Sequence, residues 1–147
     1  MRLEPVTKEN VRKACEIKVH PAQEQFVAPV TVSLAQAYVY GQAAWPRVIV
    51  DGDRIVGFVM VSIQSDHPIE AYRFGLWRLA VAAEEQGKGY GRFAVQEVAR
   101  EGRRRGKTKL YVTWVPGEGG PAEFYRRLGF VTTDEAIDGE VVAALDL

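Results

Sequence analysis

The sequence has little cysteine and no excess of charge of either sign. Cys15 is the single cysteine among 147 residues, which excludes an intramolecular disulfide framework and a zinc site built from several cysteines. With 19 basic and 19 acidic side chains, the chain lacks the broad positive surface that general nucleic-acid binding needs, so we expect no nucleic-acid partner. The two histidines, His20 and His67, are too few and too far apart to predict a metal site.

Long apolar runs are also missing. No segment approaches the roughly 20 apolar residues of a membrane span, and residues 1–5 lack the apolar stretch of a signal peptide. We therefore expect no membrane partner and a cytoplasmic location. Apolar residues still make up 47% of the chain, which is enough for a core, and its length predicts one domain over residues 1–147.

Hydrophobic periodicity and turn residues predict a mixed order of strands and helices. Strands are predicted at residues 2–6, 47–50, 54–62, 72–81, 109–114, 131–137 and 141–147. Helices are predicted at about residues 9–19, 33–44, 89–104 and 122–128. Residues 22–32 fit no single pattern and could hold a further helical turn. The order β-α-α-β-β-β-α-β-α-β-β predicts an α+β fold with helices on both faces of a sheet.

Residues 79–92, LAVAAEEQGKGYGR, hold the most informative feature of the chain. A strand ends, three glycines alternate within five residues, and a helix begins. Glycines let backbone N–H groups converge on a ligand, and a helix N-terminus adds the positive end of its dipole, so the turn predicts a phosphate site. A glycine-rich turn without a ligand is the alternative, although glycine in a helix costs about 1 kcal/mol against alanine.

Two well-known phosphate motifs do not fit this turn. A Walker A loop would need a glycine at Ala82 and a serine or threonine at Gly89. A dinucleotide-binding fingerprint that begins at Gly87 would need a glycine or alanine at Arg92.

The turn instead resembles the signature of the GNAT superfamily of N-acetyltransferases, Gln/Arg-x-x-Gly-x-Gly/Ala. Residues 86–91, QGKGYG, match it at every defined position. Residues 124–130, FYRRLGF, are similar to the family's Phe-Tyr-x-x-x-Gly-Phe, and the order of elements is similar over nearly the whole chain. The resemblance implies a mixed, mostly antiparallel twisted sheet of about seven strands, with helices on both faces and a splay between the fourth and fifth strands.

The resemblance also implies roles for individual residues, with acetyl-CoA as co-substrate and no metal. Backbone groups of Leu79, Ala80 and Val81 would contact the pantetheine arm and polarise the thioester carbonyl. Tyr125 would protonate the departing CoA thiolate, since a phenol is a neutral donor at pH 7; a purely structural aromatic beside Phe124 is the alternative. The cofactor-binding residues around the pyrophosphate would be Gln86, Gly87, Lys88, Gly89, Tyr90, Gly91 and Arg92.

Two positions depart from the family's pattern. Glu118 stands where many members carry an asparagine that contacts the cofactor, and Thr113 stands where some members carry a catalytic glutamate. A base, direct or through water, is still expected, because deprotonating an alkylammonium of pKa about 10.4 at pH 7 costs about 4 to 5 kcal/mol. Glu24 is the first candidate for this base or for a substrate contact, and a relay of waters is the alternative. The other candidates are Asp66, His67 and Glu70.

Within the family, the chain resembles in particular the bacterial spermine/spermidine N-acetyltransferases. This resemblance rests on the glutamine-rich residues 23–27 and on the Val-Gly-Phe-x-Met strand at residues 56–60. It implies a small-molecule amine as acceptor, with a polyamine as one candidate. Polyamine cations would need carboxylates and aromatic walls, and the sequence offers Glu24, Asp66, Glu70, Tyr38, Tyr72 and Trp77.

Other functions and partners stay open at this stage. The chain could be an acetyl-CoA-binding sensor without turnover, or it could acetylate a protein N-terminus or lysine. The basic residues 103–107 fit the solvated end of a helix, and a place near the 3′-phosphate of CoA is the alternative. A homodimer could form if residues 141–147 paired as an edge strand.

Overall fold

Seven strands and four α-helices follow one another in the predicted order in a computed structural model, which describes residues Met1 to Leu147. The strands are β1 (Arg2–Pro5), β2 (Ala44–Asp51), β3 (Arg54–Ser62), β4 (Gly75–Val81), β5 (Lys109–Trp114), β6 (Val131–Ile137) and β7 (Glu140–Asp146). The helices are α1 (Val11–Cys15), α2 (Val30–Tyr40), α3 (Tyr90–Arg104) and α4 (Ala122–Arg127). None of these helices has the length and apolar character to cross a membrane.

The strands form one mixed sheet in the order β1-β2-β3-β4-β5-β7-β6. β4 and β5 are parallel, and every other neighbouring pair is antiparallel. The parallel pair is joined only where Gly75 faces Tyr111 and Leu76 faces Val112. Beyond these residues β4 continues to Val81 beside β3 alone, so the expected splay between the fourth and fifth strands is confirmed.

A β-bulge marks the point where β4 leaves β5. Met60 of β3 faces Arg78, whereas Val61 faces Leu76, so Trp77 is an extra residue on β4. A bulge bends its strand and re-aims the side chains that follow. This bulge therefore contributes to the opening between the two parallel strands.

Helices cover both faces of the sheet. The larger core cluster lies under α3 and includes Val59, Val95 and Val98, all of them at most 2% exposed. The smaller cluster lies under α1 and α2 and includes Phe58 and Met60. Because β3 is buried on both faces, its sequence is a nearly continuous apolar run rather than an alternating one.

Both helices of the N-terminal half differ from their predicted bounds. α1 is shorter than residues 9–19 at both ends. It begins at Val11, because the amide of Asn10 donates to the Pro5 carbonyl and its oxygen accepts from the Thr7 N–H, which fixes a turn before the helix, and it ends at Cys15. α2 starts and ends earlier than residues 33–44. It begins directly after Pro29, and it ends at Gly41, whose φ of 59° lies in the left-handed region.

Two strands also differ from prediction. β2 includes Pro46, which lies past the end of β1 where β2 has a neighbour on one side only, a position that a sheet tolerates for proline. β4 begins later than residue 72, because Glu70–Tyr72 forms a 3₁₀ turn. That turn packs so closely that a Cβ on Gly75 would lie 2.3 Å from the Ala71 carbonyl oxygen.

The last strand of the sequence is an inner strand of the sheet. Residues Val141 to Ala144 of β7 are paired with β5 on one side and lie beside β6 on the other. The expectation that residues 141–147 form an edge strand is therefore wrong, and the homodimer stays a prediction. The edges of the sheet are β1 and β6.

Candidate active site

A cleft of about 1170 Å³ opens where β4 and β5 separate. Its walls come from these two strands, the N-terminal end of α3, α4 and the segment between α1 and α2. Most residues that the sequence analysis assigned to a site line this cleft: Glu24, Leu79, Val81, Gln86, Gly87, Gly89, Tyr90, Gly91, Arg92 and Tyr125. Ala80 and Lys88 are absent from its lining.

The backbone direction of β4 explains why Ala80 differs from its neighbours. The N–H of Ala82 donates to the Val56 carbonyl of β3 at 2.9 Å. Because backbone groups alternate along a strand, those of Ala80 also point to β3, whereas those of Leu79 and Val81 point to the open side that β5 has left. The Val81 carbonyl is already used, since it accepts a hydrogen bond from Gln86 Nε2 at 3.0 Å.

The glycine-rich turn has the geometry of an anion site. Gly87 and Gly89 have φ values of 80° and 90°, which L-residues adopt only at a cost of roughly 1–2 kcal/mol. Gly89 is the N-cap of α3, and no side chain caps this helix end. The first amides of α3 therefore point into the cleft opening without a side-chain acceptor, an arrangement that suits a phosphate group.

Gly91, the third glycine of the turn, is required for a different reason. A Cβ on Gly91 would lie 3.1 Å from Cζ of Phe124, which belongs to α4. Gly91 therefore allows α3 and α4 to approach each other, and its φ is not in the left-handed region. The glycine at this position of the motif is therefore explained by the packing of α3 against α4.

A buried carboxylate forms ion pairs with two cationic side chains beside the turn. Glu85, which the sequence analysis missed, forms ion pairs with Arg54 and, at 2.9 Å, with Lys88. The hydrogen bond from Lys88 and the contact with Arg54 lower the pKa of Glu85. Next to it, the Tyr90 hydroxyl donates to the Asp51 carboxylate at 2.5 Å, which lowers the pKa of Asp51. The sequence signal for Glu85 is weak: it is one of two glutamates directly before the motif.

The segment between α1 and α2 spans the mouth of the cleft. Gln23 and Gln86 exchange two hydrogen bonds, of 2.8 and 3.1 Å, so the side chain of Gln86 holds this segment. Farther along, a Cβ on Gly120 would lie 3.2 Å from the ring of Phe26. The segment therefore contacts the walls on both sides of the cleft.

Tyr125 belongs both to the core and to the cleft wall. Its ring stacks on Trp114 with centroids 5.6 Å apart, and it contacts Phe124 and Phe130 edge-on. The residue is 7% exposed, and it lines the cleft. Burial raises the pKa of Tyr125, so its phenol stays protonated at neutral pH. The two interpretations of this residue, a core aromatic and a proton donor, are therefore compatible.

The candidate bases are placed very differently. Glu24 is exposed at the cleft mouth, whereas Asp66 and Glu70 line neither the cleft nor the pocket next to it. Glu118, the residue at the family's asparagine position, lines neither cavity. His67 lines that pocket, but its Nδ1 accepts a hydrogen bond from the Ile69 N–H at 3.0 Å, so a neutral imidazole carries its proton on Nε2.

Glu140 is a further carboxylate of the cleft wall. It is the half-buried first residue of β7 and was missed in the sequence, because nothing in the hairpin Asp138-Gly139 shows that the sheet order brings it to the cleft.

A second pocket, of about 220 Å³, adjoins the cleft, and we call it the aromatic pocket because five of its twelve lining residues carry an aromatic ring. Tyr40 meets Trp77 edge-on with centroids 5.0 Å apart, and His67 meets Tyr72 edge-on at 4.9 Å. No carboxylate lines this pocket. The two cavities share five lining residues, namely Tyr72, Leu76, Trp77, Val112 and Thr113. Of the residues considered for a polyamine, Tyr38 lies outside both cavities and is 90% exposed.

Comparisons with known proteins agree with this geometry. Residues 15–130 match the family model described as the acetyltransferase (GNAT) family. A search of curated proteins finds no match. The GNAT domain of S. lividans PAT is a similar solved structure, with 16% identity, 99% of this chain and 89% of that chain covered, and a TM-score of 0.77.

Two further similar structures contain the coenzyme. A GNAT family acetyltransferase from Elizabethkingia anophelis with acetyl-CoA bound is 15% identical, with 99% of this chain and 97% of that chain covered and a TM-score of 0.68. An aminoglycoside 6'-N-acetyltransferase complexed with coenzyme A is 15% identical, with the same coverage and a TM-score of 0.73. At such identities the likeness shows a shared fold.

Proposed function

The chain belongs to the acetyltransferase (GNAT) family, and we propose that it transfers an acetyl group from acetyl-CoA to a primary amine of a small molecule by direct attack. One observation supports this best: a single cleft brings together the uncapped start of α3, the open edge of β4 and the protonated Tyr125. These are the three parts that an acetyl-CoA-dependent transfer needs, namely an anchor, an acyl-positioning edge and an acid.

The residues present fit the coenzyme. The amides of residues 87–92 would bind its pyrophosphate, because Gly87 and Gly89 turn the backbone into the shape that opens the start of α3. Arg92, which lines the cleft, would add positive charge beside it. Acetyl-CoA or coenzyme A is bound in two of the similar structures, which supports the same coenzyme here. When bound, acetyl-CoA supplies an activated thioester.

Two parts of the cleft wall would act on the reacting groups. The backbone of Leu79 points to the side that β5 has left, so its N–H and C=O groups can orient the acyl arm. Tyr125 would donate its proton to the departing sulfur, and its raised pKa keeps that proton in place at neutral pH. Stacking on Trp114 fixes the direction of the phenol, which limits the entropy lost when it reaches the sulfur.

The acceptor amine must be neutral when it attacks, so a group on the acceptor side has to receive its proton. We assign this role to a carboxylate of the cleft wall, acting directly or through water. Glu24 is the candidate at the mouth of the cleft, and Glu140 is the half-buried candidate at the start of β7. A polyamine, the finer proposal for the acceptor, would find aromatic walls at Tyr72 and Trp77.

The experiment is an assay of free CoA thiol, with the purified protein, acetyl-CoA and a panel of amines that includes spermidine, spermine and amino acids. We expect turnover with at least one amine and a sharp loss of rate in Tyr125→Phe, while calorimetry shows unchanged acetyl-CoA binding. Binding of acetyl-CoA without turnover on any amine would contradict the proposal and favour a sensor. Unchanged turnover in Tyr125→Phe would contradict the role of Tyr125.

A further inference from the structure

Arg78 is a half-buried cation of the cleft wall that has no anionic partner. It lies on β4 directly after the bulge residue Trp77. Its Nη1 donates to the Trp77 carbonyl at 3.0 Å, and its Nη2 donates to Gln36 Oε1 at 3.1 Å, so both acceptors are neutral. Its Nε is buried without any hydrogen-bond partner, and no other side-chain atom of the protein is in that condition.

This state is costly for a guanidinium. Burying a polar group without a partner destabilises a protein, and a charged one does so more strongly. None of the ion pairs of the protein includes Arg78. Burial lowers the pKa of Arg78, and the charge of Glu140 opposes that shift without an ion pair between the two. An anionic ligand in the cleft, which Arg78 lines, can therefore stabilise the protein by balancing this charge.

The position of Arg78 assigns that ligand to the acceptor side. Its bond to Gln36 places the guanidinium on the face of the sheet that α2 covers. The glycine turn and Tyr125 belong to the opposite face, where α3 and α4 pack. A phosphate bound at the start of α3 would therefore not pair with Arg78, whereas the acceptor, as the second molecule in the cleft, can.

The surroundings of Arg78 indicate what else this molecule carries. The guanidinium carbon lies 5.7 Å from the centre of the Trp77 ring, and that ring lines the aromatic pocket together with Tyr40. An acceptor held at Arg78 can therefore place an apolar or aromatic group in this pocket. On the other side, Glu140 offers a negative charge to an ammonium in the same cleft.

We propose that Arg78 binds the carboxylate of the acceptor, which is then an amino acid with an aromatic or large apolar side chain. This inference rests on the proposed function. Nη1 and Nη2 each keep a second N–H besides the one bonded to Trp77 or Gln36, and such donors bind a carboxylate through charge-assisted hydrogen bonds. The same unpaired cation repels a polyamine, so among the small-molecule amines of the proposed function it favours an amino acid.

Binding of three probes tests this assignment on the unchanged protein. L-phenylalanine, L-phenylalaninamide and phenethylamine share an aromatic ring and an amine, and only the first has a carboxylate. Calorimetry on the protein saturated with coenzyme A should show that phenylalanine binds at least about tenfold more tightly than the other two, as expected for a charge-assisted pair. Equal affinities, or no binding of phenylalanine, would overturn the proposal.

A variant then assigns the preference to Arg78. Arg78→Gln should reduce the difference between the three probes to about twofold or less, with coenzyme A binding unchanged as the control for folding. A preference that survives in a folded Arg78→Gln protein would overturn the role of Arg78. If the variant does not fold, the affinities of the three probes for the unchanged protein still test whether the cleft binds a carboxylate.

The thiol assay separates this inference from the proposed function. Phenylalanine that binds through Arg78 without release of thiol would contradict acetyl transfer to this acceptor and leave the carboxylate site intact. Turnover on amines with no preference for a carboxylate would overturn the site alone.

Discussion

The side chains of Gln23 and Gln86 form two hydrogen bonds of 2.8 and 3.1 Å with each other across the mouth of the cleft. Gln86 also donates to the Val81 carbonyl at the end of β4. A residue of the glycine-rich turn thus joins the segment between α1 and α2 to the end of β4. The order of residues 19–29 should therefore depend on this pair of side chains.

Gln23→Ala should loosen that segment. Each lost hydrogen bond is worth about 1 kcal/mol, so amide hydrogen exchange of residues 19–29 should become several-fold faster while the core strands stay unchanged. Gln25→Ala is the matched control, because Gln25 is exposed and reaches only the nearby Ala22 carbonyl. If both variants exchange alike, the Gln23–Gln86 pair does not anchor the segment.

Substitution of two glycines that both have positive φ values can distinguish an effect on stability from an effect on acetyl-CoA binding. Gly89 and Gly106 have φ values of 90° and 77°, and a Cβ meets no atom within 4 Å at either. Gly89→Ala and Gly106→Ala should each destabilise the fold by roughly 1–2 kcal/mol. Only Gly89→Ala should also weaken acetyl-CoA binding, because only Gly89 shapes the start of α3. Urea unfolding and calorimetry measure the two effects, and equal losses of affinity would contradict the anchor site.

Tyr125→Phe should affect chemistry and not packing. The ring stays stacked on Trp114, so the free energy of unfolding near pH 7 should change little, while kcat should fall about 10² to 10⁴-fold if the phenol is the general acid. Because the pKa of Tyr125 is raised, the protonated form persists above the ordinary value of 10.0. The kcat of the unchanged protein should therefore not decline below about pH 10 through this group, and a loss that begins near pH 8 would contradict the assignment.

The ion pairs of Glu85 predict a dependence of stability on pH. The pKa of Glu85 is lowered from 4.5, so its stabilising effect is present above that value and is lost as the pH falls through the folded-state pKa. Glu85→Gln should be less stable than the unchanged protein at pH 7, and it should lose less stability between pH 7 and pH 3. Urea unfolding at both pH values measures this. Equal acid sensitivity of the two proteins would show that Glu85 is not ion-paired in solution.

Local patterns predicted most of the fold and the glycine-rich turn at the start of α3. The glycine turn is visible in the sequence because its conformation depends on residues that are neighbours in the chain. Three features were not predictable in this way. The bulge at Trp77 depends on the pairing of β3 with β4, Glu140 reaches the cleft only through the sheet order, and Arg78 is unpaired because no distant carboxylate meets it.

The incorrect prediction that residues 141–147 form an edge strand has the same cause, because strand order depends on residues that are distant in the chain. The alternation of residues 141–147 predicted a strand, but it could not show on which side its neighbours lie. The structure inserts β7 between β5 and β6, so the sequence neighbour β6 becomes the edge.

The activity that we propose for this cleft is the transfer of acetyl groups to an amine. The most direct measurement is mass spectrometry of the acceptor after incubation with acetyl-CoA carrying a labelled acetyl group, with the unchanged protein and Tyr125→Phe side by side. We expect a labelled, N-acetylated small amine with the unchanged protein and far less of it with the variant. Label on no amine, despite binding of acetyl-CoA, would contradict it.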